Sequence, residues 1–262
     1  MIKRKDPQQI EQMKAAGALS KAALRLAGTM VVPGTSTLTI DQAVESFIRS
    51  NGGKPTFKGY GGFPGSICAS VNEQVVHGIP SEAAVLKEGD ILSVDTGATL
   101  NRWVGDNAWT FYCGEVSSEW QGLCEVTRDC LKAAIEQAVP GNRLGDIGAA
   151  VQDLAESNGY GVVRDYVGHG IGRAMHEDPE VRNYGRHGRG VKLQAGMVLA
   201  IEPMITLGSY ECRTLGNGWT VVTCDGGAAA HYENTVAITD DGPVILTADN
   251  EGPWCSMQGG KK

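Results

Sequence analysis

The sequence predicts an α+β protein in which helices cover one face of a mainly antiparallel sheet, built from two related halves. One phrase occurs twice, at residues 86–95 and 193–202, and each copy is an apolar run after a glycine that ends on a carboxylate. In each half the predicted helices precede the predicted strands, an order typical of α+β domains. A long unit that occurs only twice differs from a solenoid, whose repeats are about 20–50 residues long. It therefore indicates a pseudo-two-fold fold.

The spacing between Asp95 and Glu202, 107 residues, also links other segments of the two halves. Pro33-Gly34 corresponds to Pro140-Gly141 at this spacing. The same spacing relates four apolar residues of the first half to four of the second: Ile40, Ala43, Val44 and Phe47 correspond to Ile147, Ala150, Val151 and Leu154. It also relates residues 50–52 to residues 157–159. The repeat places the two terminal acids near a common axis.

Four helices are predicted from capping residues and apolar spacing. Asp6-Pro7-Gln8-Gln9 combines a capping residue, a proline suited to the first turn and a glutamine that can return a hydrogen bond, so the first helix runs to about Gly28. Thr39-x-x-Gln42 is expected to open the second helix, Ser118-x-x-Gln121 the third, and Asp146 the fourth.

Short apolar runs between glycine-rich turns predict the strands. The predicted strands are residues 91–94, 109–113, 198–201, 220–224 and 234–238. Asn101-Arg102 falls where a hairpin would turn between the first two of them.

Composition limits the class of protein. Hydrophobic residues make up 42% of the chain and charged residues 20%, with a net charge of −7, so a general nucleic-acid binder is not expected. No apolar run approaches the roughly 18 residues of a membrane span, and residues 1–6 lack a signal-peptide pattern, so we expect a cytoplasmic protein. The seven cysteines contain no Cys-x-x-Cys pair and are expected to be reduced thiols, mostly in the core.

At 262 residues the chain is near the upper size for one hydrophobic core, and the halves could equally form two small domains. We favour one domain at residues 1–250, because the acids that end the two copies of the repeat would then meet at one place. Its related halves would span about 30–115 and 137–240, followed by a tail at 251–262.

Each half offers two carboxylates at the ends of predicted strands. Asp106 follows Asp95 across the predicted hairpin, and Glu233 accompanies Glu202 in the second half. Four ionised acids in one pocket repel each other strongly unless cations lie between them. Because four carboxylates exceed what one divalent ion needs, we expect two ions about 3.5–4 Å apart.

Histidine could add a nitrogen ligand to these oxygens. His169 lies in Gly168-His169-Gly170-Ile171-Gly172, where glycines let the backbone approach closely and aim the imidazole. His77 and His176 lie near predicted turns. His187 and His231 are interpreted as surface histidines.

Together these motifs resemble type I methionine aminopeptidases, and the resemblance extends from about Lys3 to Thr247. The matching motifs, in order, are Val71-Asn72-Glu73 with His77-Gly78-Ile79-Pro80, Asp95, Gly105-Asp106, Gly168-His169-Gly170-Ile171-Gly172 with His176-Glu177, Ile201-Glu202-Pro203-Met204 and Tyr232-Glu233-Asn234-Thr235. The resemblance implies the pita-bread fold, with a curved sheet and pseudo-two-fold halves. It also implies removal of N-terminal methionine from nascent polypeptides, by a hydroxide held between two divalent ions of cobalt, manganese, iron or zinc.

The family's site residues map onto this sequence position by position. The implied metal ligands are Asp95, Asp106, His169, Glu202 and Glu233, with Asp106 and Glu233 bridging. Glu202 would also act as the base, His176 would stabilise the oxyanion, and His77 would contact the peptide nitrogen. The implied methionine pocket comprises Tyr60, Phe63, Cys68 and Trp219. Val104, Met175 and Asn234 depart from common relatives beside these motifs.

The resemblance also implies a monomer. We expect transient contact with the ribosome through the domain surface and, because no apolar run is long enough to span a bilayer, no membrane association. Two alternatives share the fold. A prolidase or Xaa-Pro aminopeptidase usually carries an additional N-terminal domain, which we do not expect here because the first predicted helix begins so early. A non-catalytic ribosome-associated module would have lost metal ligands, whereas all five candidates are present.

Overall fold

The computed structural model describes residues 1–248, so the predicted tail at 251–262 lies outside the described residues. The described chain contains four α-helices and one short 3₁₀ helix, Tyr60–Gly62. The α-helices are α1 (Pro7–Thr29), α2 (Thr37–Ser50), α3 (Ser118–Glu136) and α4 (Leu144–Ser157). None of these described helices has the length and apolar character that a membrane crossing requires.

Fifteen strands form the rest of the regular structure in the described part of the chain. They are β1 (Lys54–Pro55), β2 (Ile67–Val71), β3 (Gln74–Val76), β4 (Ile91–Leu100), β5 (Trp103–Tyr112), β6 (Gly161–Val162), β7 (Gly168–Gly170), β8 (Glu177–Val181), β9 (Val198–Ile201), β10 (Met204–Thr206), β11 (Cys212–Thr214), β12 (Val221–Thr223), β13 (Ala229–His231), β14 (Asn234–Thr239) and β15 (Gly242–Ile245).

These strands pair in four antiparallel groups, which confirms the predicted α+β class. In the first half, β4 pairs with β1, β2 and β5. In the second half, the order β15-β14-β9-β7-β8 forms a five-stranded sheet, and β13-β10-β6 forms a smaller one. The fourth group, β11-β12-β3, links the halves. Helix α1 packs against α2, β4 and β5, and α3 packs against α4.

The sequence repeat is also a structural repeat. Gly34 N–H donates to the Leu86 carbonyl at 2.8 Å, and Gly141 N–H donates to the Leu193 carbonyl at 3.1 Å. Isolated bridges join Ser36 to Val85 and Arg143 to Lys192, again 107 residues apart. The two glycines have φ of 91° and 100°, a conformation that side chains disfavour, so both copies need glycine at this turn.

Helix starts show where local sequence misleads. The Asp6–Gln9 capping box of α1 is present as predicted. Helix α2 begins two residues before Thr39, because Ser36 accepts a hydrogen bond from the Thr39 N–H and caps the helix earlier. Helix α4 begins at Leu144 rather than Asp146, because the Asp146 carboxylate reaches back to the Arg143 N–H. The two predicted starts were therefore wrong by two residues.

The hairpin β4–β5 is longer than predicted, with ten residues in each strand. Asn101 and Arg102 form its two-residue turn, and both have positive φ, 49° and 68°, as a type I′ turn requires. The register pairs Asp95 with Ala108 and Gly97 with Asp106. Because successive side chains alternate between faces, Asp95 and Asp106 are diagonal neighbours on one face.

Candidate metal centre

Glu202 and Glu233 lie where two paired strands pass from one sheet to another. Strands β9 and β14 pair up to Ile201 and Asn234, and strands β10 and β13 pair from Met204 and His231. The residues between these ladders include both glutamates and Pro203, which has no N–H to donate. The break in both ladders brings the two carboxylates to one point.

The junction between the halves brings all four acids together. The Glu233 N–H donates to the Ala108 carbonyl of β5 at 3.0 Å. On either side, threonine hydroxyls bond to the facing backbone, Thr235 to the Asp106 segment and Thr110 to the His231 segment. The acidic face of the first hairpin is thereby fixed against the glutamates of the second half.

His169 is aimed into this junction by its neighbours on β7. A Cβ at Gly168 would lie 2.3 Å from the Ala200 oxygen, and one at Gly170 would lie 2.1 Å from the Asp178 oxygen, so only glycine fits between these strands. The His169 Nδ1–H donates to the Gly170 carbonyl at 2.9 Å. This bond leaves the Nε2 lone pair facing the acids, which is the arrangement that a metal-binding imidazole needs.

Distances show how closely the donor atoms approach. His169 Nε2 lies 3.7 Å from Asp106 Oδ2 and 3.6 Å from Glu202 Oε1. Donor atoms of Asp106, His169 and Glu233 all lie within 4.8 Å of one another. One ion could therefore contact several of these side chains.

The electrostatics of the cluster favour a cation. Burial raises the pKa of Asp95 to about 7 and that of Glu202 to about 8, and it raises the pKa values of Asp106 and Glu233 well above the ordinary range. Burial lowers the pKa of His169 to about 4. The acids resist ionisation without a positive partner, while the imidazole stays neutral and able to coordinate.

Unpartnered polar atoms provide a test of whether divalent metal fits. Asp95 Oδ1, Asp106 Oδ1 and Glu233 Oε1 are buried without hydrogen-bond partners. Such orphaned acceptors are costly unless something binds them. Carboxylate oxygens with an imidazole nitrogen are a donor set that manganese, iron, cobalt and zinc all accept. The residues present fit divalent metal.

His231 is a member of this site that the sequence interpretation missed. Its prediction as a surface histidine was wrong, because only 1% of the residue is exposed and its Nε2 lies 3.5 Å from Glu202 Oε2. The signal was its position two residues before Glu233, in the same short motif as a predicted metal ligand. His187 is exposed as predicted and faces Asp146 and Asp153.

A cavity of about 230 Å³ opens onto the acids. It is lined by all six residues proposed from the sequence to contact substrate: Tyr60, Phe63, Cys68, His77, His176 and Trp219. Sequence reasoning did not place six further lining residues, namely Phe57, Val76, Tyr166, Val167, Met175 and Met204. Four of them, Val76, Val167, Met175 and Met204, adjoin or belong to the motifs identified in the sequence, whereas Phe57 and Tyr166 lie outside those motifs. The result is an apolar pocket with sulfur and aromatic walls beside the polar centre.

Ring contacts order the pocket wall. Phe63 meets Trp219 edge to face, with centroids 5.2 Å apart, and His77 lies edge-on to Tyr166 at 5.7 Å. The Tyr60 hydroxyl lies 2.8 Å from His176 Nδ1. If the phenol donates, the proton of the neutral His176 ring is on Nε2, which makes that nitrogen a hydrogen-bond donor.

The loop that carries His176 is fastened by a buried ion pair. Lys5 Nζ lies 2.9 Å from Glu177 Oε2, and both side chains are 5% exposed. Glu177 Oε1 also accepts from the N–H groups of Arg173 and Ala174. The segment before α1 therefore anchors the rim of the cavity.

The three departures from common relatives differ in their distance from the cavity. Met175 lines it, whereas Val104 is buried in the adjacent apolar cluster. The Asn234 Oδ1 accepts from the Thr247 hydroxyl at 2.8 Å. Of the three, Met175 alone contributes directly to the pocket wall in the described structure.

The cysteines agree with the prediction of reduced thiols. Six of the seven lie in the described residues, and all six are free. Cys68, Cys113, Cys124 and Cys130 are buried, Cys212 is half-buried and Cys224 is exposed.

Known proteins resemble this chain over most of its length. A sequence model of metallopeptidase family M24 matches residues 11–240. The methionine aminopeptidase of Clostridium acetobutylicum is 57% identical over 247 residues, covering 94% of this chain and 99% of that protein. The crystal structure of methionine aminopeptidase from Thermotoga maritima has a TM-score of 0.93 at 46% identity, covering 95% of this chain and 100% of that one.

A more distant structure shares the fold. The prolidase from Pyrococcus horikoshii has a TM-score of 0.77 at 21% identity, over 96% of this chain and 65% of that one. At this identity the likeness shows the fold alone. The expected pita-bread architecture is confirmed.

Proposed function

Because the chain belongs to metallopeptidase family M24, we propose that it removes the N-terminal methionine of nascent polypeptides and peptides. Its resemblance to methionine aminopeptidases is confirmed by relatives that match nearly its whole length. It is a hydrolase of the metallopeptidase type. The observation that carries the proposal is the cluster of four acids and His169 beside an apolar, sulfur-containing cavity.

The cavity suits a single apolar side chain. Its volume of about 230 Å³ is below the about 300–1,000 Å³ typical of pockets for drug-sized ligands. The polarisable Cys68 and Met175 sulfurs and the rings of Phe63 and Trp219 offer a thioether favourable contacts. A peptide that inserts its first side chain here would present its first peptide bond to the acids.

The proposed ligands are Asp95, Asp106, His169, Glu202 and Glu233. We propose two ions, with Asp106 and Glu233 shared between them, since four carboxylates exceed the need of one ion. When bound, the ions polarise the scissile carbonyl and lower the pKa of water.

The remaining chemistry belongs to side chains of the chain itself. Glu202 is the proposed base, which receives a proton from water and delivers it to the leaving amine. His176 is the proposed donor to the developing oxyanion, because its ring lies at the cavity and contacts the His169 ring at a centroid distance of 4.3 Å. His77 is the proposed contact to the peptide nitrogen.

We further propose that residues 1–250 act as one catalytic domain, since both halves supply ligands to one centre. The proposed setting is a cytoplasmic monomer that meets nascent chains and contacts the ribosome transiently through its domain surface.

Hydrolysis of a Met-Gly-x tripeptide tests the function. We expect methionine release that a chelator abolishes and added divalent metal restores. Asp106→Asn, which removes a proposed ligand, should abolish this release. Asp153→Asn, which alters an exposed carboxylate, is its matched control and should keep the activity. Release from Xaa-Pro substrates instead would favour the prolidase alternative, and no hydrolysis with any metal would favour a binding module.

A further inference from the structure

We infer that His231 is a positioning residue of the metal centre, whose Nε2–H donates to Glu202 Oε2 and fixes the orientation of that carboxylate. The inference rests on the proposed metal centre and extends it to a residue outside its five proposed ligands. Three observations support it: the His231 ring is buried, its Nε2 lies close to Glu202, and hydrogen bonds hold the His231 backbone in place.

The backbone of His231 is held from two sides. Its N–H donates to the Thr110 hydroxyl at 3.0 Å, and its carbonyl accepts from that hydroxyl at 2.9 Å. It also pairs with Met204 across the β10–β13 ladder, two residues from Glu202. These bonds therefore fix the backbone of His231 beside Glu202.

The ring points into the centre. His231 is buried, and its Nε2 is a buried polar atom with no hydrogen-bond partner that meets strict geometry. Glu202 Oε2 lies 3.5 Å from this nitrogen. A small rotation of either side chain would turn this contact into a hydrogen bond of ordinary length.

The two oxygens of Glu202 face different imidazoles. Oε1 lies 3.6 Å from His169 Nε2, and Oε2 lies 3.5 Å from His231 Nε2. If Glu202 Oε1 and His169 hold the same ion, Glu202 Oε2 is left free to accept a hydrogen bond from a side chain that is not a ligand. Outer hydrogen bonds of this kind orient metal ligands, and their loss typically lowers metal affinity or activity about 10–100-fold.

Direct coordination by His231 is the competing arrangement, because donor atoms of Glu202, His231 and Glu233 lie within 4.8 Å of one another. The donor role is favoured because five other side chains are already proposed as ligands of the two ions, whereas His231 is the one side-chain N–H group that faces Glu202 Oε2 in the described part of the chain. The two arrangements differ in one observable atom: a donor keeps its Nε2 proton when metal binds, and a ligand loses it.

Nitrogen-15 NMR of histidine-labelled protein, with and without zinc, tests this difference. The His231 signals are identified by their loss in His231→Gln, and His187→Gln is the exposed control. We expect the directly bonded Nε2 proton to persist in the zinc-loaded protein. Loss of that proton together with a metal-induced shift would overturn the inference in favour of coordination.

Cobalt titration of the variants gives a second readout. We expect His231→Leu to bind cobalt about 10–100-fold more weakly and His231→Gln, which retains an N–H donor, to bind within about threefold of wild type. Equal affinity in wild type and His231→Leu would overturn the inference. If the leucine variant does not fold, the NMR result decides. Failure of wild type itself to bind cobalt or release methionine would refute the proposed function instead.

Discussion

Asp106 and Thr235 exchange two hydrogen bonds across the junction of the two halves. The Asp106 N–H donates to Thr235 Oγ1 at 3.1 Å, and the Thr235 hydroxyl donates to the Asp106 carbonyl at 2.8 Å. Both groups are buried, and 129 residues separate them in sequence. The Thr235 side chain, which is not a proposed ligand, thus fixes the backbone that carries the proposed bridging carboxylate of Asp106.

Thr235→Val tests this support. Valine has nearly the same shape but leaves a buried N–H and carbonyl without partners, so we expect a loss of about 2–3 kcal/mol in the free energy of unfolding. Metal affinity should fall as well, because Asp106 loses its fixed backbone. Urea unfolding and cobalt titration measure the two effects. Thr235→Ser keeps the hydroxyl and should lose less than half as much; equal losses in both variants would contradict the hydrogen-bond explanation.

Asp106→Asn should separate activity from stability. We expect it to abolish methionine release and weaken metal binding, since the amide removes a shared anionic ligand. The metal-free protein should become more stable near neutral pH by about 1–3 kcal/mol, because burial raises the pKa of the Asp106 carboxyl, and a group whose pKa rises on folding lowers stability above its unfolded pKa. Turnover, metal content and thermal unfolding are the measurements. Wild-type turnover would refute the ligand assignment.

His176→Ala should lower the catalytic rate greatly without changing metal content. The ring lies at the cavity and contacts His169, but it is not among the proposed ligands. Elemental analysis beside steady-state kinetics checks both parts. Loss of metal from this variant would mean that the residue belongs to the coordination sphere.

Tyr60→Phe should act on the same step through His176. Removing the hydroxyl 2.8 Å from Nδ1 leaves the ring of the pocket wall in place, so we expect kcat to fall about tenfold with little change in KM. Tyr210→Phe, at an exposed tyrosine outside the cavity, is the control. A rise in KM with unchanged kcat would instead assign Tyr60 to substrate binding alone.

Acid stability should depend on Glu45. Its hydrogen bond with Lys58, reinforced by Arg49 and Ser66, lowers the pKa of Glu45 to about 2. A carboxylate with a lowered folded pKa contributes stability that is present above its unfolded pKa and is lost as pH falls through the folded pKa. Between about pH 4.5 and 2, wild type should therefore lose about 2 kcal/mol more than Glu45→Gln, after allowance for partial exposure.

Urea unfolding at several pH values checks the Glu45 prediction. Glu11→Gln, which removes a more exposed partner of a lysine, is the matched control and should track wild type. Parallel pH profiles for wild type and Glu45→Gln would show that the ion pairs contribute no net stability.

Local signals in the sequence were sufficient to identify the strands that carry or precede the acids. The recurrence of a glycine-led apolar run at one fixed spacing identified Asp95 and Glu202, and the two-residue turn at Asn101-Arg102 implied that Asp106 lies beside Asp95. Both features are encoded within short segments. Strand lengths were underestimated because Gly97 and Gly105 interrupt the apolar pattern; an added Cβ at Gly105 would collide with the backbone of α1.

Tertiary contacts account for what sequence reasoning missed. His231 was interpreted from its residue type alone, although it lies two residues before Glu233 in the sequence. The Lys5–Glu177 ion pair and the Asp106–Thr235 exchange join residues 172 and 129 positions apart. Neither residue of such a pair carries a local pattern that names its partner, so only the folded chain reveals them.

We propose that both halves of the chain supply acids to one pair of divalent ions. Anomalous scattering from a crystal grown with manganese would locate such ions. We expect two peaks per chain, both enclosed by Asp95, Asp106, His169, Glu202 and Glu233. Peaks only at other residues, or no peak in a crystal whose protein hydrolyses Met-Gly-x, would contradict it.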